Sequence, residues 1–486
     1  MRTISRRNAL LLGGLGVAAT AAGSAGLLLI LPPPENPVKG GELTQPPEER
    51  SSNGKLQVRL EAARGQIVLA GHQAAALGYN GRIPGPTLRL QPGDVLRITL
   101  VNNLTQATNL HVHGLHVSPK GSGDNVFASV DPGDTFDYEY KLPADHPPGV
   151  YWYHPHHHGT VADQIFAGLF GAIIVEDPVP IESSAERVLV ISDTTLDGLG
   201  NIAATPDMER TMGREGEMIL VNGQSNPQLS ARPGQRERWR IINACVARYL
   251  RLRLEDQQLQ LIGVDSGRFP TPKPVAELRL ASGNRADLLV TTATGDSVLR
   301  ALYEDRGTME GMMRRERGSR SPADQSNSTA LATLHVTGQP VASLPPVPLQ
   351  KVPGDLRAAP LAIRRHIVLA TGMTMGGGSM SFTINGKKFD PTRTDTTVLA
   401  GDVEEWTLSN ASPMDHPFHL HIWPMQIIKE NGLENDQVIL QDVVNVPANG
   451  QVKVRIAFRD FSGRSVYHCH ILDHEDLGMM GAIEVR

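Results

Sequence analysis

The stretch PGPTLRLQPGDVLRITLVNNL, Pro84 to Leu104, decides the fold. Leu88 and Leu90, then Leu96, Ile98 and Leu100, recur at every second position, which is the period of a strand with one buried face. Pro92-Gly93-Asp94 separates the two runs with turn chemistry, and a polar Asn102-Asn103 turn ends the second. The same text returns as LSARPGQRERWRIINAC (Leu229–Cys245) and as TTVLAGDVEEWTLSNAS (Thr396–Ser412). Self-similarity at a spacing of about 150 residues marks three related domains. The expected class is therefore all-β, with three Greek-key β-sandwich or barrel domains over residues 51–178, 183–340 and 355–486. Residues 32–54, PPPENPVKGGELTQPPEERSSNG, are Pro-rich and polar and predict a flexible linker.

The remaining composition narrows the function. A chain of 486 residues with 20% charged residues and a formal net charge of −5 has no basic excess for nucleic acid or an anionic membrane. No nucleic-acid partner is expected. Ahead of the linker, residues 1–31 contain paired Arg6 and Arg7, with Ser5, Leu10 and Leu11 in fitting places, followed by an apolar run. That pattern resembles a twin-arginine export signal or an uncleaved anchor, which implies a periplasmic or extracellular protein and a membrane contact confined to this segment. A monomer is expected. Cys245, in the alternating run RERWRIINAC, reads as a small buried hydrophobe, with no bridge to Cys469.

Seventeen histidines are present, and most fall in four tight clusters. HVHG supplies His111 and His113; YHPHHHG supplies His154 and His156. HPFHLH supplies His416, His419 and His421, and YHCHILDHEDLGMM supplies His468, His470 and His474. A lone histidine is usually an ordinary surface or core residue, whereas repeated His-x-His pairs are not. On a strand, residues i and i+2 leave the same face, so each pair aims two imidazoles into one space. Neutral imidazole suits copper, zinc and iron. Cys469 lies between two such histidines and leaves the opposite face. There it can join His416 and His474, with Met479 as a distant fourth group. A His₂Cys set with a weak thioether indicates blue copper, and zinc would gain little from the methionine.

With these motifs in this order, the sequence resembles the multicopper oxidases, over about residues 56–486. The resemblance implies three cupredoxin-like domains and four copper ions. His416, Cys469, His474 and Met479 would hold the type 1 ion, and His111 and His419 the type 2 ion. His113, His154, His156, His421, His468 and His470 would hold the type 3 pair. The sequence departs from the common HxHG version of one motif by reading HLHIW at His419–Trp423, without loss of a ligand. The implied activity is one-electron oxidation of a small reducing substrate, Cu(I) or phenols and aromatic amines, coupled to reduction of O₂ to water. Electrons would need to cross only one residue from Cys469 to reach His468 or His470. Asp124 in GSGDN and Glu475 match carboxylates that deliver protons, although an Asp between Gly123 and Asn125 is also a turn former. An axial methionine implies a lower-potential enzyme than one with Leu or Phe there. Met309, Met312 and Met313, and then Met373, Met375 and Met380, form two sparse groups of thioethers suited to Cu(I). The competing reading is a non-catalytic cupredoxin-like protein of the cell-division type, which lacks copper ligands.

Overall fold

The computed structural model describes residues 40–307, 328–373 and 380–486. The expected export segment at 1–31 and Met309, Met312, Met313 and Met375 lie outside the described residues. Among the described residues, no helix is long and apolar enough to cross a membrane.

Three β-sandwiches follow one another along the chain. Strands of the first run from Glu48 to Val175, of the second from Ala185 to Val336, and of the third from Ile363 to Val485. Each has two sheets, of five and four, six and five, and seven and five strands. Between the sheets lie three separate apolar cores, centred on residues such as Leu60 and Tyr138, Trp239 and Leu288, and Trp406 and Phe418. Helices are few and short: α1 (Val161–Phe166), α2 (Asp207–Met212) and α3 (Leu472–Asp476).

The repeated text has one structural meaning. Strands Val95–Asn103, Arg236–Asn243 and Val403–Asn410 each pair in parallel with the opening long strand of their own sandwich. At the end of each stands the same asparagine turn. Asn102, Asn243 and Asn410 accept a hydrogen bond from the backbone N–H two residues on, at 2.9, 3.1 and 2.9 Å. Their Nδ2 groups donate to the carbonyls of Val130, Leu280 and Val446, at 2.8, 3.1 and 3.0 Å. A side-chain amide that ties a strand end to a neighbouring connection satisfies buried backbone groups that the ladder leaves unpaired.

The Pro-rich segment departs from the flexible linker expected over 32–54. From Gly40 onward it is docked: the Leu43 N–H donates to the Gln228 carbonyl at 2.8 Å. Glu48–Arg50 adds a parallel strand beside Thr87–Leu90. Prolines do not prevent this, because an edge strand needs only alternate donors. Cys245 is fully buried and, like Cys469, a free thiol, as its apolar surroundings predicted.

Candidate metal centre

Two neighbouring strands of the third sandwich sort the candidate ligands by face. His416–Leu420 pairs antiparallel with Gly463–Cys469, placing Phe418 opposite Cys469 and His419 opposite His468. Directly opposed residues share a face of the sheet. His419 and His468 therefore leave one face, while Cys469 leaves the other beside His416. In the first sandwich His111 pairs with His154, and His113 with Trp152. Eight imidazoles from the first and third sandwiches meet, all of them buried.

Their outer nitrogens are held one by one. His111 Nδ1–H donates to Asp124 Oδ1 at 2.9 Å, His113 Nε2–H to Asp442 Oδ1 at 2.9 Å, and His154 Nδ1–H to the Pro155 carbonyl at 2.8 Å. His419 Nδ1–H donates to the Asp442 carbonyl at 2.8 Å and His468 Nδ1–H to the Cys469 carbonyl at 3.0 Å. His470 Nδ1–H donates to Ser282 Oγ at 3.1 Å, the serine hydroxyl being spent on the Cys245 carbonyl. A neutral imidazole has one N–H, so each of these inner nitrogens presents a bare lone pair. Burial keeps the rings neutral, pushing each well below the ordinary histidine value.

Those lone pairs face one another. The Nε2 atoms of His111 and His419 lie 3.5 Å apart, and His154 Nε2 lies 3.4 Å from His113 Nδ1. His468 Nε2, by contrast, is a bare acceptor 3.1 Å from the Nε2 atoms of both His156 and His421, either of which can donate to it. His470 Nε2 is buried with no hydrogen-bond partner among the described residues. Two opposed lone pairs cannot hydrogen-bond, whereas a cation between them satisfies both. The donor set thus fits imidazole-binding metal ions, with the outer hydrogen bonds fixing tautomer and ring orientation as metal-ligating histidines require.

The second group lies on the other face. His416 Nδ1 is 3.3 Å and His474 Nδ1 is 3.9 Å from Cys469 Sγ. His416 Nε2–H donates to Ser412 Oγ at 2.7 Å, and His474 Nε2–H to the Thr211 carbonyl at 3.1 Å. Both Nδ1 lone pairs therefore turn to the sulfur. The Ile471 N–H donates to that sulfur at 3.4 Å, a contact that favours thiolate, while burial pushes the metal-free thiol up. Met479 is fully buried, and its carbonyl accepts from the Cys469 N–H at 3.0 Å. Soft sulfur and imidazole in one closed site suit copper.

Both proton-delivery candidates are buried beside the eight-histidine cluster. Asp124 accepts from His111 and, at 3.1 Å, from the Val112 N–H, with Oδ2 3.7 Å from His421 Nδ1. Burial pushes its carboxyl up to about 7. Among the described residues Glu475 has no hydrogen-bond partner for either oxygen, and these lie 3.3 Å from His468 Nδ1 and 3.6 Å from His156 Nδ1. Burial, with Asp476 beside it, holds this carboxyl well above the usual carboxylate range.

The second sandwich supplies residues that the sequence did not single out. Arg285 makes a two-pronged ion pair with Asp442, at 2.5 and 2.7 Å, and so anchors the acceptor of both His113 and His419. Gly114, closing the HVHG motif, has φ of +84°, and a Cβ there would meet Arg285 Nη2 at 2.3 Å. That close approach is the signal which could have led to Arg285. Ile422, the residue that stands where HLHIW departs from HxHG, keeps the same left-handed conformation at φ 70°. This costs a β-branched residue about 1–2 kcal/mol. Thr211, on α2, was likewise missed. Met380 begins a strand and packs half-buried against the third core, while Met373 ends the strand Ile363–Met373.

Comparison with known proteins agrees with this geometry. Three multicopper oxidase family models match residues 61–180, 181–314 and 365–486. A multicopper oxidase of Staphylococcus aureus is 29% identical over 453 residues, 90% of each chain. The cell division protein FtsP of Sodalis glossinidius is 30% identical over 452 residues, 88% of this chain and 91% of that one. A solved multicopper oxidase from Campylobacter jejuni, described as a metallo-oxidase, superposes with a TM-score of 0.79 at 32% identity, covering 92% of this chain and 96% of that one. With a family model on each of its three sandwiches, the chain belongs to the multicopper oxidases, copper-binding oxidoreductases that couple a reducing substrate to O₂.

Proposed function

We propose that this chain is an exported oxidase that takes electrons singly beside His474 and delivers them to O₂ at the eight-histidine cluster, releasing water. The observation that carries the reading is the opposed, proton-free nitrogens of His111 with His419 and of His113 with His154, in a cluster one residue from a buried thiol. Copper, when bound, supplies the one-electron couple and the centre at which O₂ is reduced. His416, Cys469, His474 and Met479 would hold one ion, and the eight other histidines three more. Cys469 shares its backbone with His468 and His470, so the two sites are joined covalently. Glu475 stands next to His468 as one proton-delivery carboxyl, and Asp124 orients His111 while holding a second proton-accepting oxygen near His421. Asp124→Asn should slow oxygen reduction at least about a hundredfold, the usual scale of a lost proton donor, with the blue absorption retained. Unchanged turnover would remove Asp124 from the proton route.

Small metal reductants fit the approach to His474 better than bulky phenols do. The ring is fully buried, capped through Nε2 by the Thr211 carbonyl of α2 and stacked on Phe382 at 4.3 Å. Among the described residues no face of that imidazole is left open to a phenol, and α2 covers it at Nε2. Its Met208 is 65% exposed, leaving a soft thioether at the surface for Cu(I). The resemblance to a metallo-oxidase points the same way. Replacing Met208, Met373, Met375 and Met380 by Leu should lower Cu(I)-driven oxygen uptake about tenfold or more, the scale of one lost substrate contact, and leave uptake with a phenol nearly intact. Equal loss with both would exclude the thioethers as a metal-docking surface.

A further inference from the structure

The turn after His421 stores strain where a candidate ligand needs a fixed direction. The Trp423 N–H donates back to the His421 carbonyl at 2.8 Å, and Ile422 between them has φ of 70°. A γ-turn of this hand is the rare, strained one, and a β-branched residue at its centre is an outlier. The Ile422 side chain is 4% exposed and packs in the third core. Such strain persists only where the surroundings over-determine the backbone.

Part of that hold comes from another sandwich. The Ile422 carbonyl accepts from His116 Nδ1–H at 2.9 Å, its only hydrogen bond among the described residues. A carbonyl has no proton to give, so this nitrogen carries one. His116 is fixed in turn by the first sandwich. Its N–H donates to His146 Nε2 at 3.1 Å, and buried His146 is tied through Nδ1–H to the Pro147 carbonyl at 3.0 Å. The His116 ring stands edge-on to Phe461 at 4.8 Å, with Nε2 3.3 Å from the exposed Asp460 carboxylate. His116 follows the His111–His113 pair and Ile422 follows His421 directly, so this contact joins a ligand-bearing segment of the first sandwich to one of the third.

His421 is the candidate ligand that needs such a hold. His111, His113 and His419 each have an outer N–H fixed on an acceptor. His421 Nδ1 is instead buried with no hydrogen-bond partner among the described residues, 3.7 Å from Asp124 Oδ2. Its ring stacks on His111 at 3.9 Å, a contact that fixes no nitrogen. The aim of His421 is therefore set through its own backbone, and that backbone is the strained turn. With His421 read as a copper ligand as above, we propose that His116 is a positioning residue for the eight-histidine cluster: by holding the Ile422 carbonyl it keeps the turn closed and aims His421.

The test is the copper kept by the loaded full chain against a competing chelator, with the blue absorption recorded alongside. His116→Leu should weaken the cluster's hold on copper about tenfold, the scale of one lost orienting partner, while an unchanged blue absorption shows the third sandwich intact. His116→Asn, whose amide can donate to the same carbonyl, should restore it. In a chain that also carries Ile422→Gly the turn needs no clamp, because glycine adopts this φ freely. There His116→Leu should change the affinity less than about twofold. His421→Ala is the reference and should lose copper from the cluster; if it keeps its copper, the ligand reading and the clamp both fall. If it loses copper, the clamp alone is overturned by parent-like affinity in His116→Leu, by equal loss with and without Ile422→Gly, or by no rescue in His116→Asn.

Discussion

Cys469→Ser should abolish the blue absorption and lower substrate-driven oxygen uptake by at least about a thousandfold, which is roughly 4 kcal/mol of barrier. Cys469 is the one described sulfur toward which two Nδ1 lone pairs turn, and it is bonded through the backbone to two members of the cluster on the opposite face. Serine keeps the volume but offers a hydroxyl of far higher pKa, which neither matches a soft metal nor ionises in a buried apolar site. His468 and His470 are untouched, so copper at the eight-histidine cluster should remain. Analysis of the variant should then find about three copper ions where the parent carries about four, following the ligand sets proposed above. A variant that stays blue, or that turns over normally, would break the assignment of the thiol.

Removal of the Asp442 carboxylate should be the most damaging single change to the folded chain. Asp442→Ala leaves Arg285 fully buried with Asp265, at 3.2 Å, as its remaining ionic partner. Breaking a buried pair from one side costs about 3–5 kcal/mol, because the surviving charge is desolvated and uncompensated. Denaturant unfolding of the metal-free protein should register that loss as a lower midpoint with an unchanged slope. The double change Asp442→Ala/Arg285→Met should cost less than the two single changes summed, since both members of the pair leave together and only Asp265 loses an ionic partner. Simple additivity would mean that the pair does not act as a unit. His113 loses its acceptor in every Asp442 variant, so copper affinity should fall as well, by about 10–100-fold.

The clustering of the candidate ligands was legible because strand alternation is a local rule. His-x-His, with cysteine at the odd position, states which imidazoles share a face without reference to the rest of the fold. The repeated strand and its asparagine turn were legible for the same reason, each being complete within twenty residues or so. What holds the ligands in place was not legible. Asp442 meets Arg285 across 157 positions, and His474 meets Thr211 across 263. Neither pair has a motif, because the partner is chosen by how sandwiches pack. Gly114 came nearest to giving one away, since a glycine after His-x-His marks a place where a side chain has no room. The Pro-rich segment misled because composition alone does not reveal an edge strand waiting for it at Thr87–Leu90.

The central claim is that twelve side chains from two sandwiches hold copper and carry four electrons to each O₂. The most direct test is to load the full chain, measure its copper content, and follow electrons consumed per O₂ with a hydrogen peroxide assay in the same cell. The account predicts about four copper ions per chain, four electrons per O₂ and no accumulating peroxide. A chain that folds but takes up no copper, or one that releases peroxide after two electrons, would contradict it.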